Sequence, residues 1–382
     1  MNRFGMDRNL AIICVTIFLN IFVRFMWDPL LPLHLRALGA TAQEIGLAFT
    51  LMFFARTGFA IIGGALADRY GRVIVAGITT IGAGVFTFIA AFTDNWLALI
   101  GLLIGAAALS SIQWPALSAL ITESAGEDKV THSFSITESA VLTGLIVGPL
   151  AGAALLAPLK IPGLLVINGI VQTAAGVWRL LALRETAHRA RGSVLLNLRA
   201  AIDPNVRWLI LLGSLVAISF AIPFGPFFAI LARDSWNNSE AEINLIWSAG
   251  SVASLAGIAL GRMSERWSAR RVLVISAIGF GVATAIWGLA PTWQWGLAPL
   301  LIAFLFSEAI FLAQQTLQAA STTRETRSSV YGMISTTTGF VGGVGPSFGA
   351  WLITFGGNPL PFVIAGALGV LCALAVLPIR KS

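Results

Sequence analysis

The sequence predicts an all-α integral membrane protein with twelve transmembrane helices arranged as two pseudo-symmetric six-helix bundles. Three observations lead there. The 382 residues are 57% hydrophobic and 11% charged, with a mean hydropathy of +0.86, which is more apolar surface than a water-soluble domain can cover. Apolar runs of about 20 residues, the length of helix that spans the hydrocarbon, recur along the whole chain. The second half of these runs repeats the first at one fixed spacing.

In chain order, helix 1 is expected over about 10–35 and helix 2 over about 43–66. Helix 3 (about 73–92) and helix 4 (about 96–121) follow, joined by the Asp94-Asn95 turn. Helices 5 and 6 occupy about 132–157 and 161–183. Then comes the longest polar stretch, 185–205, which contains the amphipathic piece SVLLNLRAAI and reads as a cytoplasmic linker between an N-terminal bundle (1–184) and a C-terminal bundle (206–382). Helices 7 to 12 are expected at about 207–231, 241–261, 271–290, 295–320, 329–355 and 358–379. Whole-helix runs rather than short alternating segments exclude a β-barrel. The first run is as long as the others and has no small-residue cleavage site, so it is expected to remain as helix 1. Cys14 and Cys372 both fall in predicted spans, which points to neither a disulfide nor a metal site.

The repeat can be read by subtraction. Pro226 minus Pro29 gives 197, and the same shift carries Arg36 to Arg233, Gly64 to Gly261, Arg69 to Arg266, Trp96 to Trp293 and Pro162 to Pro359. It also carries Gly148-Pro149 to Gly345-Pro346 and Gly152-Ala153 to Gly349-Ala350. Prolines and tryptophans at one spacing imply two bundles related by duplication.

The net charge of +7 raises the question of nucleic acid, and the placement of the cations answers it. With the N-terminus inside, 18 of the 24 Lys and Arg fall in cytoplasmic segments. Only Arg36, Lys160 and Arg233 fall outside, while Arg24, Arg56 and Arg179 lie within spans. This bias places both termini in the cytoplasm of a multi-pass protein of the inner (cytoplasmic) membrane, with the lipid bilayer and not nucleic acid as its surroundings. Arg179 lies near the inner end of helix 6, close enough to snorkel.

Between helices 2 and 3 stands GALADRYGR, Gly64 to Arg72. Gly64 suits close helix packing, Asp68 can accept hydrogen bonds from a helix N-terminus, Gly71 allows an unhindered turn, and Arg69 and Arg72 suit the headgroup level. The string matches every fixed position of G-x-L-x-D-R-x-G-R and so resembles the loop between helices 2 and 3 of the major facilitator superfamily. In the second copy, GRMSERWSARR, Glu265 and Ser268 replace Asp68 and Gly71. Helix 5 carries Gly144, Gly148, Pro149 and Gly152, which resembles the glycine-proline motif of superfamily antiporters, although small residues four apart are also an ordinary packing device. Gly101 stands where many proton-coupled members carry an arginine. The resemblance covers essentially the full length. It implies the major facilitator fold, alternating access, and a latch in which Asp68 faces the start of helix 11 near Ser328 and Arg72 faces Glu123.

Ionisable groups in hydrocarbon are costly and persist mainly for a reason. Arg24 and Asp28 in helix 1 are four apart and share a face with Asn20; Arg56 lies in helix 2, Glu138 in helix 5 and Glu308 in helix 10. Two arginines face three acids, so one acid is left to carry a proton, with Glu308 or Glu138 the candidate. The resemblance implies that helices 1, 4, 7 and 10 line a central cavity, which adds Gln113, Trp114, Phe220, Phe224 and Gln315 to the candidate substrate and proton residues. Aromatic rings and a spare carboxylate suit lipophilic cations. The leading expectation is proton-coupled efflux of such compounds by a monomer; a proton-linked carrier of a small metabolite, anionic ones included, is the alternative, and a non-transporting receptor or scaffold is the alternative of another class. No nucleophile–base pair, metal-ligand cluster or phosphate loop points to an enzyme, a metal or a cofactor.

Overall fold

The computed structural model of the protein describes residues 7–125, 130–186, 204–320 and 327–378. All twelve expected helices are present. Among the described residues, nine helices are long and apolar enough to cross a membrane, and one of these, His132–Ala182, holds both helix 5 and helix 6. The remaining spans are helix 7, which is interrupted, and helix 11 (Arg327–Gly356). Most of the predicted linker, 187–203, lies outside the described residues.

Prolines decide where helices break. Helix 1 runs Arg8–Phe25, stops, and resumes through a 3₁₀ turn at Asp28–Leu30 into Leu31–Ala37. Pro29 and Pro32 have no N–H to donate back, so the helical ladder cannot continue through them. Helix 7 repeats this, with Pro204–Ala221, a turn containing Pro223 and Pro226, and Phe227–Asp234. Helices 5 and 6 turn on one residue, Lys160, at φ 54 and ψ 179 between Pro158 and Pro162. Helix 2 starts with a reciprocal cap, in which the Thr41 N–H donates to Glu44 Oε2 at 2.7 Å and the Glu44 N–H donates to Thr41 Oγ1 at 3.3 Å.

The hinge is shorter than the sequence suggests. Helix 2 continues as Ala42–Tyr70 and helix 3 begins at Arg72, so Gly64 to Tyr70 are helical and Gly71 alone makes the turn, at φ 96 and ψ 142. Ser268, its mate in the second copy, holds nearly the same backbone, φ 107 and ψ 133. The fold kept the turn although the side chain changed.

The 197-residue shift also holds in the packing. A Cβ on Gly84 of helix 3 would lie 2.9 Å from the carbonyl oxygen of Gly169 on helix 6, and its mate Gly281 on helix 9 is pressed in the same way on the carbonyl of Gly366 on helix 12. Packing divides the chain into two units. The first consists of Met1–Ala40, Phe54–Arg191 and Glu240–Ser248, and the second of Thr41–Phe53, Gly192–Ser239 and Ala249–Ser382. In the first, Asn244 Nδ2 donates to the Met26 carbonyl at 2.9 Å and Ser248 Oγ to the Ile146 carbonyl at 2.7 Å. In the second, the hydroxyls of Thr50 and Ser347 lie 2.8 Å apart. These partners explain why two short segments, 41–53 and 240–248, depart from a simple division at the linker.

Candidate functional site

The break in helix 1 is the centre of a polar cluster. One turn before it, Arg24 Nε donates to Asp28 Oδ1 at 3.3 Å, with side chains 30% and 21% exposed. Arg56 of helix 2 lies within Coulombic reach of both. The guanidinium of Arg24 sits 5.7 Å from the ring centre of Phe25, and Phe18 and Phe22 stack at 5.6 Å on the same helix. The Oδ1 of Asn20 is buried with no hydrogen-bond partner among the described residues. Asp28 is held in place from behind, because the neighbouring Trp27 donates from Nε1 to Asn168 Oδ1 at 2.8 Å, and Asn168 donates to Gln172 at 3.2 Å. A side chain so anchored keeps its helix end in register.

The other expected site residues are placed differently. Gln113 is buried inside the first bundle, its Oε1 accepting from Arg179 and lying 2.7 Å from Thr80 Oγ1, so it does not join the Arg24 cluster. Trp114 is exposed, and so are Glu138 and Gln315. Phe220 and Phe224, expected to line a cavity, are half-buried and pack against Phe280 and Phe304 of the second bundle at 4.7 Å ring separations. Glu308 is half-buried, with its Cβ 2.9 Å from where a Cβ on Gly257 of helix 8 would stand.

Arg179 does not snorkel. It is fully buried, donating from Nε to Thr16 Oγ1 at 2.9 Å and from one terminal amino group to Thr80 Oγ1 at 2.8 Å and to Gln113. No carboxylate contacts it among the described residues. Helix 6 turns Asn168, Gln172 and Arg179 to one face, and that spacing in the sequence was the available signal.

At the hinge, Arg72 forms an ion pair with Glu123. Thr186 ties the two together, accepting from Arg72 at 3.3 Å and donating to Glu123. Glu185 is the member that the sequence reading left in the linker. Its carboxylate accepts from the Arg72 and Val73 N–H groups, both at 3.0 Å, and so caps the N-terminus of helix 3. Helix 9 solves the same problem with the Ser268 hydroxyl, which accepts from the Arg271 N–H at 3.4 Å. Asp68 and Arg69 are exposed, Arg69 lies 5.2 Å from the Tyr70 ring centre, and the side chain of Ser328, the expected partner of Asp68, lies outside the described residues. Gly64 has open space about it; the close approach of helix 2 to helix 4 is at Gly63, where a Cβ would meet the Ile112 carbonyl oxygen at 2.6 Å. The helix-5 glycines do pack. Cβ atoms on Gly144, Gly148 and Gly152 would meet Ile21 at 2.8 Å, the Phe22 carbonyl oxygen at 2.6 Å and, at Gly152, the Met26 carbonyl itself.

Gly71→Ala is expected to destabilise the protein by about 1–3 kcal/mol through backbone strain. Its Cβ would also lie 3.1 Å from Glu185 Oε2 and crowd the cap. Glu185→Gln should cost less, about 1 kcal/mol, since the amide still accepts one bond. Thermal unfolding of the purified protein in detergent orders the two variants below the wild type; melting of Gly71→Ala at or above Glu185→Gln would refute this account of the turn.

Known proteins resemble the chain both in sequence and in fold. The profile described as "Major Facilitator Superfamily" matches residues 13–233 and 209–382. A "Multi-drug resistance efflux pump PmrA homolog" from Lactococcus lactis subsp. lactis (strain IL1403) is 27% identical over 65% of this chain and 64% of its own length. The "Enterobactin exporter EntS" of Salmonella choleraesuis (strain SC-B67) is 26% identical over 76% of this chain and 72% of its own. Among solved structures, a mutant form of the nucleoside transporter NupG aligns with a TM-score of 0.83 at 15% identity, covering 98% of this chain and 100% of that one; at that identity the likeness speaks for the fold.

Proposed function

This chain belongs to the major facilitator superfamily, and on that premise we propose that it is a proton-coupled exporter of a small organic molecule, working by alternating access as a monomer with both termini in the cytoplasm. It is a multi-pass membrane carrier and not an enzyme. The observation that carries the proposal is the partly exposed Arg24–Asp28 pair at the break of a membrane-spanning helix, since charge held within a span is otherwise a cost without return. Export is supported by the efflux pump homologue and the exporter among the relatives. In this reading Glu308 carries the coupling proton and Asp68 acts in the latch, with Arg69, Gly71, Arg72 and Glu123 forming its fixed part.

The test uses everted membrane vesicles with an acid interior. Wild-type protein should accumulate ethidium or 2-naphthoate in a gradient-dependent manner. Glu308→Gln and Asp68→Asn should each lower the rate about tenfold or more, Asp68→Asn without loss of folded, inserted protein. Undiminished rates in Glu308→Gln would remove the proton role of that residue, and absence of any gradient-dependent movement in the wild type would remove the export reading.

A further inference from the structure

Each bundle has a broken helix, and the two breaks are held by different means. At helix 1 the holding groups are protein. The Met26 carbonyl accepts from Asn244 Nδ2 at 2.9 Å, Trp27 donates from Nε1 to Asn168 Oδ1 at 2.8 Å, and helix 5 sets Gly148 and Gly152 against the Phe22 and Met26 carbonyls. At helix 7 the backbone has the same need. The carbonyls of Ser219 and Ile222 face Pro223 and Pro226 four residues on, which have no N–H to return, and both residues are at most 1% exposed.

The polar groups that helix 9 brings to this side make no bond to protein. The ring of Trp287 lies 6.3 Å from that of Phe224, inside the turn, and 5.8 Å from that of Phe228, just beyond it. Its Nε1–H has no hydrogen-bond partner among the described residues; neither has the hydroxyl of Thr284, one turn earlier on the same face, nor that of Ser276, two turns earlier again. All three residues are 0% exposed. Hydroxyls at these positions pair readily in the first bundle, where Thr79 and Thr87, the mates of Ser276 and Thr284 under the 197-residue shift, donate to the Val75 and Ala83 carbonyls at 2.7 and 2.9 Å. Trp287 stands where the first copy has Ala90. An indole N–H enclosed without a partner is costly, and a phenylalanine would fill space without that cost.

A donor without an acceptor and carbonyls without donors, packed in one bundle, call for a bridge that does both. A cation would meet the indole N–H, and an anion the carbonyls, with the wrong sign. Water accepts and donates, and buried water is held by about three such partners. We infer that ordered water sits at the break of helix 7, accepting from Trp287 Nε1 and tying it and Thr284 to the freed carbonyls of Ser219 and Ile222. Water re-satisfies broken helices within membranes, and a break so held exchanges partners without parting side chains. Helix 7 is therefore the break that yields more readily. The inference is independent of cargo, direction and coupling ion.

Indole N–H resonances of the isotopically labelled protein in lipid nanodiscs test it. Trp27 and Trp236 are the controls, since they donate to Asn168 Oδ1 at 2.8 Å and to the Ala290 carbonyl at 2.9 Å. Trp27→Phe, Trp236→Phe and Trp287→Phe identify the three signals; where Trp287→Phe does not fold, its signal is the one that Thr284→Val displaces. In heavy water the Trp287 N–H should be lost about tenfold or more sooner than either control, and in ordinary water it alone of the three should show magnetisation transfer from water. Thr284→Val should lower the unfolding temperature, because it removes a partner of bound water; a hydroxyl unpaired in a dry bundle would give the opposite sign. Backbone amide exchange should be about tenfold faster over 219–229 than over 22–32. A Trp287 N–H as protected as the controls, a Thr284→Val variant that melts at or above the wild type, or equal exchange at the two breaks would overturn the inference.

Discussion

Arg179→Met is expected to destabilise the first bundle by about 2–4 kcal/mol, because it strips hydrogen bonds from a buried amide and two buried hydroxyls and leaves unfilled volume. The guanidinium now joins Thr16 of helix 1, Thr80 of helix 3 and Gln113 of helix 4 to helix 6. Thr16 keeps a partner without it, the Ile12 carbonyl at 2.8 Å. Gln113, only 8% exposed, would have to share the Thr80 hydroxyl with the Ala76 carbonyl. The second bundle carries Ala277, Ile310 and Val376 where the first has Thr80, Gln113 and Arg179, and these three are at most 1% exposed. A buried polar group is worth less than a well-packed apolar one of similar volume but is costly to half-remove. The triple variant Thr80→Ala/Gln113→Ile/Arg179→Val should therefore recover most of the loss. Thermal unfolding in detergent decides it: a single variant as stable as wild type would mean that the guanidinium contributes nothing, and a triple no better than the single would mean that the clamp cannot be exchanged for the apolar set.

Gly152→Val should cost about 1–3 kcal/mol or more and lower transport with it. Its Cβ would fall on the Met26 carbonyl and lie 2.7 Å from Asn244 Nδ2, two groups that are hydrogen-bonded to each other at 2.9 Å. Backbone at a helix break has no rotamer with which to yield, so helix 5 must move away from helix 1. Gly64→Ala is the control. Nothing stands within 4 Å of its Cβ, and alanine favours a helix over glycine by about 0.5–1 kcal/mol, so its unfolding temperature should match or exceed that of the wild type. Equal losses in the two variants would refute the packing account of the helix-5 glycines.

The sequence alone determined the helix count, the duplication and the position of the hinge, because each rests on local or periodic properties. An apolar run long enough to span hydrocarbon is helical whatever its neighbours, since lipid offers the backbone no hydrogen bonds, and Pro29 and Pro226 break their helices for a reason internal to the ring. Arg24 and Asp28 were legible as a pair because four residues is one helical turn. Which way a buried side chain points was decided only by tertiary structure. Arg179 could be read as snorkelling until Thr16, Thr80 and Gln113 closed around it. Phe220 and Phe224 pack on Phe280 and Phe304, partners that their own helix does not name. Glu185 looked like linker, although its carboxylate caps a helix 112 and 113 residues earlier in the chain. Such partners come from other helices, and the energy that selects them is the avoidance of an unpaired polar group in a dry bundle. That energy depends on the neighbours brought alongside, which no single helix encodes.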